Sequence, residues 1–377
     1  MMDAGSRAFA LAARTPSRGC GEDVESFDEA SEEDEEDSAE FLATWPNVAL
    51  DADTFGLLVC SLVRDFHLLA KRKGAARNRV SRVATTLLML GLCLSIQGFL
   101  LVQIKRFVSA KAVHDIRGVY DRFQVVMYHN HTRVFAAEPL LERRGIGGPS
   151  GRYFDAAMFD TLGDEEQGNV CRIPLSQPYF FFAVLYIWSL TCFAEIRKVK
   201  DTFLSLILRT EATDSMLKAL EDDDGEPGGS EFVIARLPRA MKGALVVLVI
   251  IPRLCITSFL LWVGCRWLLA TNNFADLILN AVALEFVLCL KDVMYLAIVS
   301  RRSMLDLENT LIKPANATEP ESMAVLIGTV AWAFIAAAWV LGFMGWPGRN
   351  GFQHVLVDFQ WDVHEVCSAW IHRRYAV

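Results

Sequence analysis

Residues 244–299 read ALVVLVIIPRLCITSFLLWVGCRWLLATNNFADLILNAVALEFVLCLKDVMYLAIV, and the fold turns on them. Two apolar runs, 244–270 and 274–299, flank the short polar turn Thr271-Asn272-Asn273. Each run is long enough to cross a bilayer, which takes about 20 mostly apolar residues. Both carry charge. Arg253 sits inside the first; Asp276, Glu285, Lys291 and Asp292, with Asn280, sit in the second. An ionisable side chain at bilayer depth is costly and is normally paired. Centring the turn near residue 269 brings Arg253 and Glu285 to equal depth, so the sequence predicts that these two pair across the hairpin. Pro252 lacks an N–H and predicts a kink in the first run. Asn273, with Asp276 three residues on, predicts an N-cap for the second.

Working outward, 83–104, 175–194 and 323–344 are three more runs of spanning length. The expected fold is all-α: a polytopic membrane protein of about five transmembrane helices with an amphipathic juxtamembrane helix. Ala338 and Gly342 in the last span have the small-xxx-small spacing that lets another helix approach closely, which leaves a homo-oligomer open. The chain is 53% hydrophobic with a mean hydropathy of +0.29. Its net charge of −8 derives largely from an acidic tract between Glu22 and Glu40, within a tail over 1–50 that reads as solvated and disordered.

Residues 51–82 read as a juxtamembrane helix. Phe55, Leu58, Val59, Leu62, Phe66 and Leu69 recur at helical spacing, and Lys71, Arg72, Lys73, Arg77, Arg79 and Arg82 follow. A helix lying on the cytosolic leaflet and held by anionic lipids fits this pattern. The same cations outweigh Lys105, Arg106 and Lys111 beyond the first span, which puts the N-terminus in the cytosol. Alternation then makes 105–174 an extracytosolic loop domain and 195–243 and 300–322 cytosolic loops. The C-terminal tail, 345–377, is extracytosolic. The sequon at Asn130 would be accessible to glycosylation, whereas the one at Asn316 would face the cytosol. Were 274–299 to enter the membrane without crossing, Asn316 would lie outside and the C-terminus inside. Cys171 and Cys367 are the cysteines in extracytosolic non-membrane segments, and a disulfide between them fits an oxidising exterior.

The stretches VSAKAVHDIRGVYDRF (108–123), CRIPLSQPYFFFAVLYIWSLTCFAEIRK (171–198), ADLILNAVALEFVL (275–288) and DVHEVC (362–367) resemble a family of multi-pass membrane proteins abundant in microalgal protists. The resemblance implies no established activity, and no functional residue is carried over from it.

No GxGxxG, GxxxxGK[ST], GxSxG or CxxC motif occurs, nor a TVGYG filter or a series of spaced arginines. Asp362, His364, Cys367 and His372 match no metal-site spacing. The sequence therefore suggests no enzyme, no cofactor, no metal and no nucleic-acid partner, and places the chain in the plasma membrane or an endomembrane. Two functions stay open: a channel or transporter subunit built on 244–299, and a non-transporting scaffold or receptor-like protein. Convergence of polar residues from several helices at one membrane depth favours the first.

Overall fold

The computed structural model describes residues 48–71, 76–127, 156–222, 232–313, 323–345, 351–356, 359 and 361–375. Val48–Ala49 (β1) leads into helix α1 (Thr54–Ala70). Helix α2 (Ala76–Gln103) passes through a π-helical stretch, Ile104–Ser109, into α3 (Ala110–Met127), so that Ala76–Met127 is one continuous rod. After α4 (Asp164–Cys171) comes α5 (Pro178–Phe203), which ends in a second π stretch, Leu204–Leu208. Short strands β2 (Glu211–Thr213), β3 (Leu220–Asp222), β4 (Phe232–Ile234) and β5 (Arg236–Pro238) precede α6 (Arg239–Leu245). A third π stretch, Val246–Ile250, joins α6 to α7 (Ile251–Leu269). Helices α8 (Phe274–Ile298) and α9 (Arg301–Glu308), strand β6 (Thr310–Ile312), α10 (Met323–Met344) and α11 (Asp362–Tyr375) complete the chain.

The all-α expectation holds. Ala76–Met127, Pro178–Leu208 and Arg239–Leu269 are long and apolar enough to cross a membrane. Their exposed side chains include Leu88, Phe99, Ile187 and Val247, a surface suited to lipid rather than water. Helix α8, at 25 residues, is shorter and carries four charges, and α10 has no ionisable residue. The break expected at Pro252 appears as the π stretch just before it. Proline supplies no N–H and its ring crowds the carbonyl four residues back, so the α register gives way there.

The two ends of the bundle differ. At one end the strands form a four-stranded sheet, β1-β6-β4-β3, with β4 parallel to β6 and the other pairs antiparallel; β2 and β5 form a separate parallel pair. Phe55, Leu58 and Leu62 of α1 pack with Leu206, Ile234, Leu245 and Ile312, while Leu57 and Cys60 meet Met89, Leu290 and Met294. At the other end, Ile116, Tyr120, Phe123 and Met127 form one stripe of α3. That stripe shares a core with Val170, Val363 and Val366, and with Leu268, Leu277 and Phe343 from the bundle. A disulfide joins Cys171 at the end of α4 to Cys367 on α11, with Cα atoms 5.2 Å apart. Tyr120 donates to Asp362, and Arg117 donates to the carbonyls of His354 and Val355.

Several expectations change here. The 51–82 stretch is two helices, and the first does not lie on a surface. Thr54 to Val63 are all buried, because the apolar residues encircle α1 rather than form one stripe. The loop expected over 195–243 begins with nine further residues of helix α5, to Phe203, and continues into strands; that over 300–322 contains α9 and β6. Gly342 receives no second helix: a Cβ there would lie 2.8 Å from the ring of Phe352, which packs onto it from the chain's own C-terminal segment. The sequons at Asn130 and Asn316, Arg72, Lys73 and the acidic tract lie outside the described residues.

Candidate functional site: a buried ionic layer

Four elements bring their charges to one level of the bundle. Counted from the disulfide end, Glu195 is 17 residues from Pro178, Arg253 is 16 from Leu269 and Lys291 is 17 from Phe274. At ~1.5 Å per residue, all three lie about 24–26 Å along their helices. Asp51 and Asp53 arrive from the other direction, on the segment that starts α1.

Arg253 is the hub. Its Nη1 donates to Asp51 Oδ2 at 2.8 Å, and its Nη2 lies 3.1 Å from Glu195 Oε2 and 3.3 Å from Asp53 Oδ2. Lys291 Nζ contacts the same two oxygens, Asp53 Oδ2 at 3.3 Å and Glu195 Oε2 at 3.4 Å, and donates to Asp292 Oδ1 at 2.9 Å. Lys198 closes the set on Glu195 Oε1 at 2.8 Å. The inner four, Asp53, Glu195, Arg253 and Lys291, are 3–10% exposed and carry two charges of each sign. Balance of this kind is what lets charges stay buried, since an unpaired one would be strongly destabilising.

Asp53 has two roles. Its Oδ1 caps α1, accepting from the N–H groups of Phe55 (3.0 Å) and Gly56 (2.8 Å), while its Oδ2 faces the two cations. The start of α1 and the ionic layer are thus fixed by one carboxylate. Gly56 is required beside it: a Cβ at this position would fall 2.0 Å from the carbonyl oxygen of Asp51. Phe55 packs under the guanidinium of Arg253, 5.6 Å from its ring centre.

The predicted Arg253–Glu285 pair is not formed. Helix α8 turns Leu284, Leu288, Lys291 and Tyr295 inward, at the i, i+4, i+7, i+11 positions of one face; Glu285, one residue from that face, is exposed. The depth argument also shifts, because the turn is centred near residue 272 rather than 269. That leaves Glu285 only 11 residues from the start of its helix. Of the other polar positions foreseen in this segment, Lys291 and Asp292 belong to the layer. Asn280 donates to Thr271 across the turn at 2.9 Å, and Asp276 is exposed in the first turn. Asn273 caps α8 as expected, accepting from the N–H of Ala275.

The basic cluster is also redirected. Arg82 pairs with Asp306 of α9 at 3.0 Å and faces Asp65 of α1 at 3.7 Å; Arg64 pairs with Asp306 at 2.6 Å. Burial pushes the Asp65 carboxyl above its usual range, against the pull of Arg82, Arg64 and Arg79. Arg77 is exposed, and Lys71 follows the last turn of α1. Arg82 of this cluster therefore helps clamp α1 to α2 and α9.

Reasoning from the sequence missed Asp51, Asp53 and Glu195. Asp53 carried a signal in its place one residue before an apolar helix, the N-cap position. Glu195 did not: it follows an apolar run and precedes three cations, so it read as interfacial. Asp362, His364 and Cys367 have other partners, namely Tyr120, the carbonyl of Ser176 and Cys171. Among the described residues no group of three or more metal-ligating side chains forms.

Comparison with family models, with curated proteins and with solved structures returns no match.

Proposed function

We propose that the chain is a multi-pass membrane protein of the channel or transporter class, whose cytosolic side is closed by α1 through the ionic layer. The supporting observation is the convergence of Glu195, Arg253 and Lys291, from three bundle helices, with Asp51 and Asp53 at a single depth. About 25 Å from the outer end, the layer lies toward the inner boundary of a ~30 Å hydrocarbon core. Four long helices, α5, α7, α8 and α10, count as crossings between Cys171 and Cys367. An even number of crossings returns both cysteines to one side, as their disulfide requires. The pairing of β1 with β6 obeys the same parity across α2, α5, α7 and α8. Both fit five crossings with the N-terminus inside.

Opening then means drawing Asp51 and Asp53 away from Arg253 and Lys291. Gly56→Ala does this without changing any charge, because the new methyl displaces Asp51. In proteoliposomes loaded with a potassium or chloride indicator, Gly56→Ala and Asp53→Asn are expected to raise ion leak at least severalfold over the parent chain. The competing reading is a non-transporting scaffold, favoured by the near-complete burial of Asp53, Arg253 and Lys291 at 3–5% exposure. It predicts that both variants lose thermal stability and leave flux at the level of empty liposomes.

A further inference from the structure

Helix α8 has an exposed apolar face with one carboxylate, Glu285, that the ionic layer does not use. Leu279, Val282, Phe286, Val293 and Leu296 stand 44–70% exposed, with half-buried Cys289 between Phe286 and Val293. Their spacing of three, four, three, four and three residues is the heptad seam on which a second helix packs knobs into holes. Beside the seam stands Glu285, exposed and 11 residues from Phe274. At ~1.5 Å per residue it lies about 17 Å along α8, close to the middle of a ~30 Å core. A carboxylate facing lipid at that depth is costly. Among the described residues Glu285 has no ion-pair partner, and the one cation of α8, Lys291, is turned inward to Asp53 and Glu195. Asp292, two turns on and 41% exposed, is already neutralised by Lys291 at 2.9 Å, so Glu285 is the charge this edge leaves over.

The charge selects the occupant. A second copy docked on this seam about an axis along the membrane normal would set Glu285 against Glu285. Like charges facing each other disfavour that contact. We propose that this face of α8 binds a transmembrane helix of another membrane protein that carries a lysine or arginine at mid-bilayer, the cation pairing with Glu285. The proposal rests on α8 crossing the membrane, as set out above.

Cys289 reports the contact. The full-length chain, with Cys20→Ser and Cys255→Ser, is reconstituted in phosphatidylcholine bilayers with a synthetic leucine-alanine helix. The peptide carries one central arginine and a cysteine four residues from it; a second peptide has leucine in place of the arginine. Copper-phenanthroline oxidation is expected to cross-link Cys289 to the arginine peptide at least tenfold more than to the leucine peptide. Glu285→Gln should abolish that preference, and Glu285→Lys should transfer it to a peptide with a central glutamate. Equal cross-linking of the two peptides, or a preference that survives Glu285→Gln, overturns the proposal. So does a Cys289–Cys289 dimer formed without peptide, which would make the seam a contact between copies of this chain. Labelling by a membrane-impermeant maleimide separates the two levels of the argument. A protected Cys289 without arginine preference removes the partner alone, whereas a freely labelled Cys289 removes the membrane placement of α8 as well.

Discussion

Arg253→Ala is expected to cost about 3–5 kcal/mol of stability, the range for breaking a buried ion pair by removing one partner. The loss should exceed that of any other single substitution in the layer. Arg253 meets three carboxylates, and without it Asp53 and Glu195 share only Lys291 while Asp51 loses its buried contact. Lys291→Ala should follow closely, because it too serves both inner carboxylates. Arg253→Lys should recover part of the loss, since an ammonium restores the charge but not the two-pronged contact with Asp51 and Glu195. Glu285→Ala should change stability by less than about 0.5 kcal/mol in detergent, as substitutions away from packed or paired groups do. Thermal unfolding of the purified variants, followed by the monodisperse fraction surviving each temperature, ranks them directly. A Glu285→Ala loss equal to that of Arg253→Ala would restore the pairing first read from the sequence.

The second large effect is expected at the opposite end. The Cys171–Cys367 bond spans 196 positions of sequence and ties α4 to α11 over the core that α3 shares with the bundle. Removing a native disulfide typically costs about 2–5 kcal/mol, and closure of a long loop favours the upper part of that range. Replacing both cysteines by serine should lower the melting temperature. Reductant should bring the parent chain down to the same value and leave the double variant unchanged. Further destabilisation of the double variant by reductant would show that another thiol pair supports the fold.

The all-α class and the long apolar helices were legible in the sequence because length and apolar composition need no knowledge of how each helix is rotated. The Asn273 cap was legible for a related reason, since capping is decided within three residues. The pairing of Arg253 was not. It depends on the azimuth of α8 and on the position of the turn, and an error of three residues in the turn moved Glu285 by about 4–5 Å in depth. Its true partners include Asp51, 202 positions away, which periodicity within a window cannot reach. Helix α1 was misplaced because selecting Phe55, Leu58, Val59, Leu62, Phe66 and Leu69 made a stripe, whereas Leu57, Cys60 and Val63 complete the circle. The strands escaped notice because at two or three residues each they are too short to show alternation. Cys171 and Cys367 were found by elimination: most of the other cysteines lie in or beside apolar runs.

The central claim is that Arg253 belongs to an ionic layer with Glu195 and the α1 segment, and it is tested most directly by a double-mutant cycle. Stability is measured for Arg253→Met, Glu195→Gln and the pair, with Arg253→Met and Glu285→Gln as the parallel cycle. Contacting charges in one network couple by roughly 0.5–3 kcal/mol, and separated ones add within about 0.5 kcal/mol. The structure predicts coupling of at least about 1 kcal/mol between Arg253 and Glu195 and none between Arg253 and Glu285. Additivity in the first cycle with coupling in the second would contradict it.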